Sequence, residues 1–327
     1  MGARRSGEQG EYATRPTAIP WRGWRSVVGR VWTSLSEDNL SIVSAGVGFY
    51  GLLAIFPAIA VFVTIYGLVM DPAAVEEQIK PLRTFMPTEA YDILATQLHT
   101  VVLKERASLS VGLVFSIALT LWSAAAGIKA LLSALNIAYD EPEERGMVRL
   151  NATALLFTVG ALLLVGISLF VIAAIPALVA IVPWPGPLKS ALLWTRWLAM
   201  AVVAIGGLSV LYRYGPDRQP AKWRWVMPGA ILAAFLWIAA SLAFSVYVAH
   251  FGSYDKTFGP LGAVVVMLMW FYLTAYAIGI GAELNAEIER QTHVDTTAGW
   301  PKPRGQRGAN VADHSASESA HNRLQQR

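Results

Sequence analysis

The residues able to do chemistry are few, and most sit where an apolar run ends. Glu283 and Asn285 close the last long apolar stretch, Asn136 closes an earlier one, and Lys129 lies inside that same earlier run. Asp255 precedes Gly259-Pro260 in a short loop, beside Lys256. An ionisable or amide group inside a membrane segment is costly unless it is paired or faces a solute path, which makes these five the candidate transport or polar-path residues. A carboxylate packed among Ala275, Gly279 and Ala282 would bind a cation or a proton, or pair with Lys129 or Arg213; the plainer reading of Glu283 is a helix end meeting water. Lys129 lies roughly 27 Å along its helix at 1.5 Å per residue, deep enough to snorkel to headgroups. The Asp255–Lys256 pair reads as a solvated turn, with a cation entry site as the functional alternative.

Several chemistries lack their residues. There is no cysteine, so disulfides, thiol catalysis and Cys-bound zinc are excluded. The five histidines form no ligand-spaced pair, and no phosphate-binding Gly-x-x-x-x-Gly-Lys-Ser/Thr run occurs. No catalytic, cofactor-binding or metal-binding residue is therefore expected, and the chain reads as a non-enzyme.

The elements that must hold these residues are membrane helices. Only 15% of residues are charged, against about a quarter in soluble domains. Apolar runs at 42–70, 111–139, 150–182, 188–211, 226–248 and 258–282 are each long enough to cross a ~30 Å hydrocarbon layer as a helix. The expected fold is all-α with six transmembrane helices. Gly48 and Gly51 permit close helix approach in the first span, and Pro57 frees a carbonyl there and predicts a kink. Before it, Trp21, Trp24, Val28, Val31 and Leu35 recur at helical spacing among arginines. This spacing predicts an interfacial amphipathic helix over 21–38, tryptophans toward lipid; the alternative is a helix packed on the protein's own face. Arg196, between Trp194 and Trp197, reads as another interfacial anchor. The 71–107 loop predicts a periplasmic amphipathic helix. Residues 1–20 and 292–327 are polar and predict disorder, leaving 39–291 as the membrane domain. The N-terminal segment, second loop, fourth loop and tail hold 18 of the 26 Lys and Arg, which places both termini in the cytoplasm by the positive-inside rule.

The blocks Gly48-Phe49-Tyr50-Gly51-Leu52-Leu53-Ala54-Ile55-Phe56-Pro57, Leu121-Trp122-Ser123-Ala124, Leu135-Asn136-Ile137-Ala138-Tyr139, Pro228-Gly229-Ala230 and Gly281-Ala282-Glu283-Leu284-Asn285-Ala286 resemble the YihY/BrkB family of bacterial inner-membrane proteins. The likeness covers roughly residues 30–290, in order. It implies six membrane helices and a bacterial cytoplasmic membrane, but no agreed activity: members carry labels of virulence or serum-resistance factor, transporter and, formerly, ribonuclease BN. A metal-dependent nuclease needs clustered ligands beside a basic groove, and that constellation is missing here. Two function classes stay open. One is passage of a small solute, ion or lipid through or along the bundle without ATP hydrolysis. The other is a non-transporting envelope or scaffold protein that engages lipids or partners. The expected partners are membrane lipids, further copies of the chain or envelope proteins, and no nucleic acid. A continuous polar path from Asp255 to Glu283 separates the two classes.

Overall fold

A computed structural model describes residues 10–69, 111–181, 186–250 and 260–316. Among them the fold is all-α, with one isolated antiparallel bridge between Ala221 and Thr297. Helix α1 spans Trp21–Glu37. It ends because Asn39 adopts a left-handed φ of 49°, a conformation that halts a right-handed helix and that asparagine tolerates. The chain turns there into α2, Leu40–Val69. Helices α3 (Val111–Ala138), α4 (Met147–Ile181), α5 (Gly186–Tyr214), α6 (Trp223–His250) and α7 (Pro260–Gln291) follow, and a short α8, Asn310–Asp313, ends the described chain. Six helices, α2 to α7, are long and apolar enough to cross a membrane.

Helices α3 to α7 form a ring, each packed on the next, with α7 closing onto α3. Helix α2 lies in the groove between α3 and α7, and α1 packs on α7. The glycines of α2 serve this packing. A Cβ on Gly48 would come within 3.1 Å of the Tyr272 backbone, and one on Gly51 within 3.4 Å of the Phe271 ring. Helix α2 runs through Pro57 without a break.

Among the described residues the ring is packed more tightly at one end. There α6 and α7 cross at Gly229 and Gly281, where a Cβ on Gly229 would stand 2.0 Å from the Gly281 carbonyl oxygen. Trp225, Ala230, Ala233, Tyr212 and Ala282 are buried around this crossing. Toward the other end burial thins out. Beyond Thr158 the described side chains of α4 hold one buried residue, Val179, and those of α6 hold none beyond Ala234.

One expectation changes here. The termini were expected to be disordered, yet residues 10–19 and 292–316 pack under the tight end of the bundle, burying Ala13, Ile19, Thr296 and Val311. Their polar composition conceals this because backbone groups supply the contacts: Lys222 N–H donates to Thr296, Ala298 N–H to Pro220, and His293 N–H to Glu11. The 71–107 loop lies outside the described residues.

Gly229→Ala should cost about 3 kcal/mol or more of stability, since backbone must move to admit the methyl. Gly160→Ala, in open space on α4, should lose none. Thermal unfolding of the detergent-solubilised protein reads both.

Candidate functional site

Three of the polar residues that sequence reasoning singled out, Asn136, Glu283 and Asn285, are buried at the tight end. Helix α7 continues past Glu283 to Gln291, with Glu283, Asn285, Glu287, Glu289, Arg290 and Gln291 all buried. A buried charge is tolerable only when paired and hydrogen-bonded. Most of these are. Glu287 receives the Arg30 Nε at 2.5 Å from α1 and the Arg290 Nη1 at 2.5 Å from its own helix. Arg30 also donates to the Glu287 carbonyl and to Gln291. Arg290 reaches across to Asp140, just past α3. Glu289 takes the Arg218 Nη2 at 2.7 Å and the Thr296 hydroxyl at 2.7 Å, and the same guanidinium lies 4.8 Å over the Tyr139 ring.

Asn285 is a cross-link between helices. Its Oδ1 accepts from the Gly229 N–H at 2.8 Å and its Nδ2 donates to the Val226 carbonyl at 3.0 Å. Both backbone groups flank Pro228, which lies inside α6. Proline has no N–H and disturbs the surrounding helical bonds, so the amide supplies partners to backbone that would otherwise be buried and short of them.

Asn136 does parallel work for the loops. It donates to Glu143 at 2.8 Å and accepts from the Asp217 N–H at 2.8 Å, which joins the loop after α3 to the loop after α5. Arg145 completes that junction with two bonds to Glu143 and one to the Gly215 carbonyl. Arg145 holds the Glu143 carboxyl below the usual carboxylate range.

Glu283 is the exception. It is 1% exposed, and neither oxygen has a donor among the described residues. The polar group beside it is another carboxyl, that of Asp38 just past the end of α1. Neither expected cation is its partner. Lys129 donates to Asn151 on α4 at 2.9 Å and lies over the Trp122 ring, so it joins helices rather than snorkelling. Arg213 donates to the Ala221 carbonyl and stacks on Tyr214 and Trp223. The reading of Glu283 as a helix end in water also fails, because α7 runs on to Gln291 and Glu283 is buried. Asp255 lies outside the described residues, and of Arg196 only its place on α5 is described.

Helix α1 joins both of its alternative readings. Val27, Val31 and Ser34 are buried and Trp24 packs half-buried on the core, while Trp21, Val28 and Trp32 point outward. Trp24 thus anchors to the protein, not to lipid. Sequence reasoning missed Asp38 and Ser34, which fall between the apolar repeats used to find α1. It also missed Arg218, Arg290 and Asp140, which read as loop charges.

A family described as Virulence factor BrkB matches residues 31–306, from the middle of α1 into the tail segment. The chain belongs to the BrkB family. A Bacillus subtilis relative named ribonuclease-like protein YfkH is 29% identical over 253 residues, covering 76% of this chain and 90% of that one. The UPF0761 membrane protein PSHAa0171 of Pseudoalteromonas translucida is 25% identical over 265 residues, 80% of this chain and 85% of its own. A UPF0761 membrane protein of Tolumonas auensis is 31% identical over 103 residues, about a third of each chain. No solved structure matches. This BrkB-family chain is an integral, multi-pass membrane protein, and the match extending to residue 306 takes in most of the folded tail segment.

Asn285→Ala should cost on the order of 2–4 kcal/mol, because it orphans two buried backbone groups. A second outcome concerns Glu141, whose Oε1 accepts the Asn310 N–H at 2.6 Å. Burial pushes this carboxyl up to about 7 from an ordinary 4.5. The folded protein therefore holds this proton more tightly than the unfolded chain, even though the Asn310 N–H itself favours the carboxylate. This carboxyl's contribution to stability is full below about pH 4.5, falls as pH rises, and is lost above about pH 7. The thermal unfolding midpoint should therefore fall between pH 5 and pH 8 in the wild type (approximate range set by that titration), and Glu141→Gln should flatten the dependence.

Proposed function

We propose that this BrkB-family protein moves a lipid or lipid-like amphiphile along its helix bundle, without ATP hydrolysis and not as an enzyme. The proposed setting is a bacterial inner membrane, with the folded tight end and both termini in the cytoplasm. That orientation follows the excess of Lys and Arg in the segments gathered there. The proposed partners are membrane lipids, with no nucleic acid.

One observation carries the reading. Past Thr158, α4 is exposed on two opposite sides. Leu163 and Phe170 lie on one side, and Val165 and Ile172 stand about 200° around the helix from them at 100° per residue. A helix in a closed ring meets lipid on one side only, so the less exposed Val165–Ile172 stripe is read as facing the ring interior. On this reading the interior of the loosely packed half is lined by apolar side chains such as these. The buried polar side chains among the described residues instead gather toward the tight end. An apolar vestibule above a polar floor suits an acyl chain and offers an ion no continuous polar path.

The nuclease label of the Bacillus relative gains no support. Among the described residues no group of three or more His, Asp or Glu could hold a metal, and Arg30, Arg145, Arg218 and Arg290 are committed to ion pairs.

Purified protein in liposomes should accelerate transbilayer movement of a fluorescent phospholipid while leaving sodium and proton fluxes at background. Val165→Trp, filling the interior, should slow that movement several-fold, and Leu163→Trp on the outer stripe should not. Folded protein with no lipid movement would favour the scaffold reading.

A further inference from the structure

The reversal from α1 into α2 opens a cavity at the tight end of the bundle. Asn39, with its left-handed φ of 49°, makes the turn. Trp32 and Ser36 of α1, Asn39 itself, Ser41 and Ile42 of α2 and Tyr276 of α7 line a space of about 340 Å³ there. Small-ligand sites begin at roughly this size, about 300 Å³.

Three contacts hold its walls in place. Arg30 pairs with Glu287, which fixes α1 on α7. Leu40 lies against Gly279, where a Cβ would stand 2.4 Å from the leucine Cδ1, and Tyr276 is about one turn along the same helix. The Ser41 hydroxyl lies 3.0 Å from that of Tyr272, whose ring stacks on Tyr276 with centroids 5.8 Å apart. The cavity is therefore formed before any ligand arrives.

Its level and its lining point to one class of ligand. The first membrane span begins at Leu40, so Ser41 and Ile42 stand where hydrocarbon gives way to headgroups. Trp32 and Ile42 are 77% and 72% exposed, large apolar side chains at the rim. From Ile42 an exposed stripe continues along one face of α2 through Phe49, Leu53 and Phe56. The rest of the lining is polar: the hydroxyls of Ser36, Ser41 and Tyr276 and the amide of Asn39. Among the described residues no Lys, Arg, His, Asp or Glu lines the cavity. An uncharged site cannot compensate a net charge brought out of water, whereas a zwitterion carries its own counter-charge. Hydroxyl and amide donors suit phosphate oxygens, and the faces of Trp32 and Tyr276 attract an ammonium group.

We propose that this cavity binds one phospholipid with a zwitterionic, ammonium-bearing headgroup. The headgroup occupies the polar lining, and an acyl chain leaves over Ile42 along the exposed stripe of α2. The site rests on the lipid reading above and gives it a seat in the leaflet beside the tight end.

The test mixes the full-length protein, purified in detergent, with dioleoyl phosphatidylethanolamine, phosphatidylcholine or phosphatidylglycerol. Native mass spectrometry counts the lipid retained. One molecule of either zwitterionic lipid should be held per chain, at several-fold higher occupancy than the anionic lipid. Preference for ethanolamine over choline would assign hydrogen bonds to the ammonium, and equal retention would assign attraction to the rings; both support the site. Ser36→Phe, which fills the cavity from an exposed position, should lower occupancy several-fold, while Thr33→Phe, also exposed on α1 but outside the lining, should not. Tyr276→Phe keeps the ring, should lower occupancy by a smaller factor, and carries the test if Ser36→Phe does not fold. Equal retention of all three lipids, preference for the anionic one, or undiminished retention in both cavity variants would overturn the site. Retention needs no flux. A wild type that holds lipid but moves none in liposomes keeps the site and removes the transport reading; one that moves lipid without holding it removes the site.

Discussion

Four charged residues fall within eight positions at the end of α7, and that end is buried. This is the constraint on which the rest of the structure depends. An unpaired charge in a low-dielectric interior costs several kcal/mol, and three of the four, Glu287, Glu289 and Arg290, are met by partners from other parts of the chain. The partners come from far away in sequence: Arg30 from the surface helix, Asp140 from the loop after α3, and Arg218 from the loop after α5. Meeting them draws the N-terminal segment, two loops and the tail into one assembly beneath the bundle. Removing one partner would leave its counterpart charged and dry, which is why the assembly is read as a unit rather than as separate surface salt bridges.

The six spans were legible in the sequence because hydropathy and helical rise determine them with little help from tertiary context. Structure and expectation differ by a few residues at most ends, and by about nine at the end of α7. That last difference has a physical cause. Glu283 marks a change in composition, and composition reports what water would prefer, while the helix is covered by protein. The folded tail was illegible for a related reason. Residues 292–316 hold themselves through backbone bonds and through Asp295, Arg307 and Asp313 turned onto nearby main chain, and such bonds leave no periodic apolar signature.

Among the candidate residues the choice was better than the roles. Asn136, Asn285 and Lys129 were singled out as polar groups in apolar surroundings, and each is engaged. Each joins two segments, as amides and lysines do when the alternative is an unsatisfied group in hydrocarbon. Glu283 alone has no donor among the described residues, and the neighbouring Asp38 was hidden at a helix end where an acidic residue attracts no notice.

The tail segment also sets an order of events. Spans enter the membrane in sequence as the chain is made, but the groove beside Lys222 and the backbone of Glu11 find their partners only among residues 292–298. Arg218 and Thr296 likewise meet on Glu289, near the end of synthesis. For most of its production the chain is therefore a set of inserted helices whose lower loops are still open to water and to quality control. Closure is a single late step. A chain shortened by some thirty residues would keep all six spans and still never seal, so its membrane insertion and its maturation become separable events.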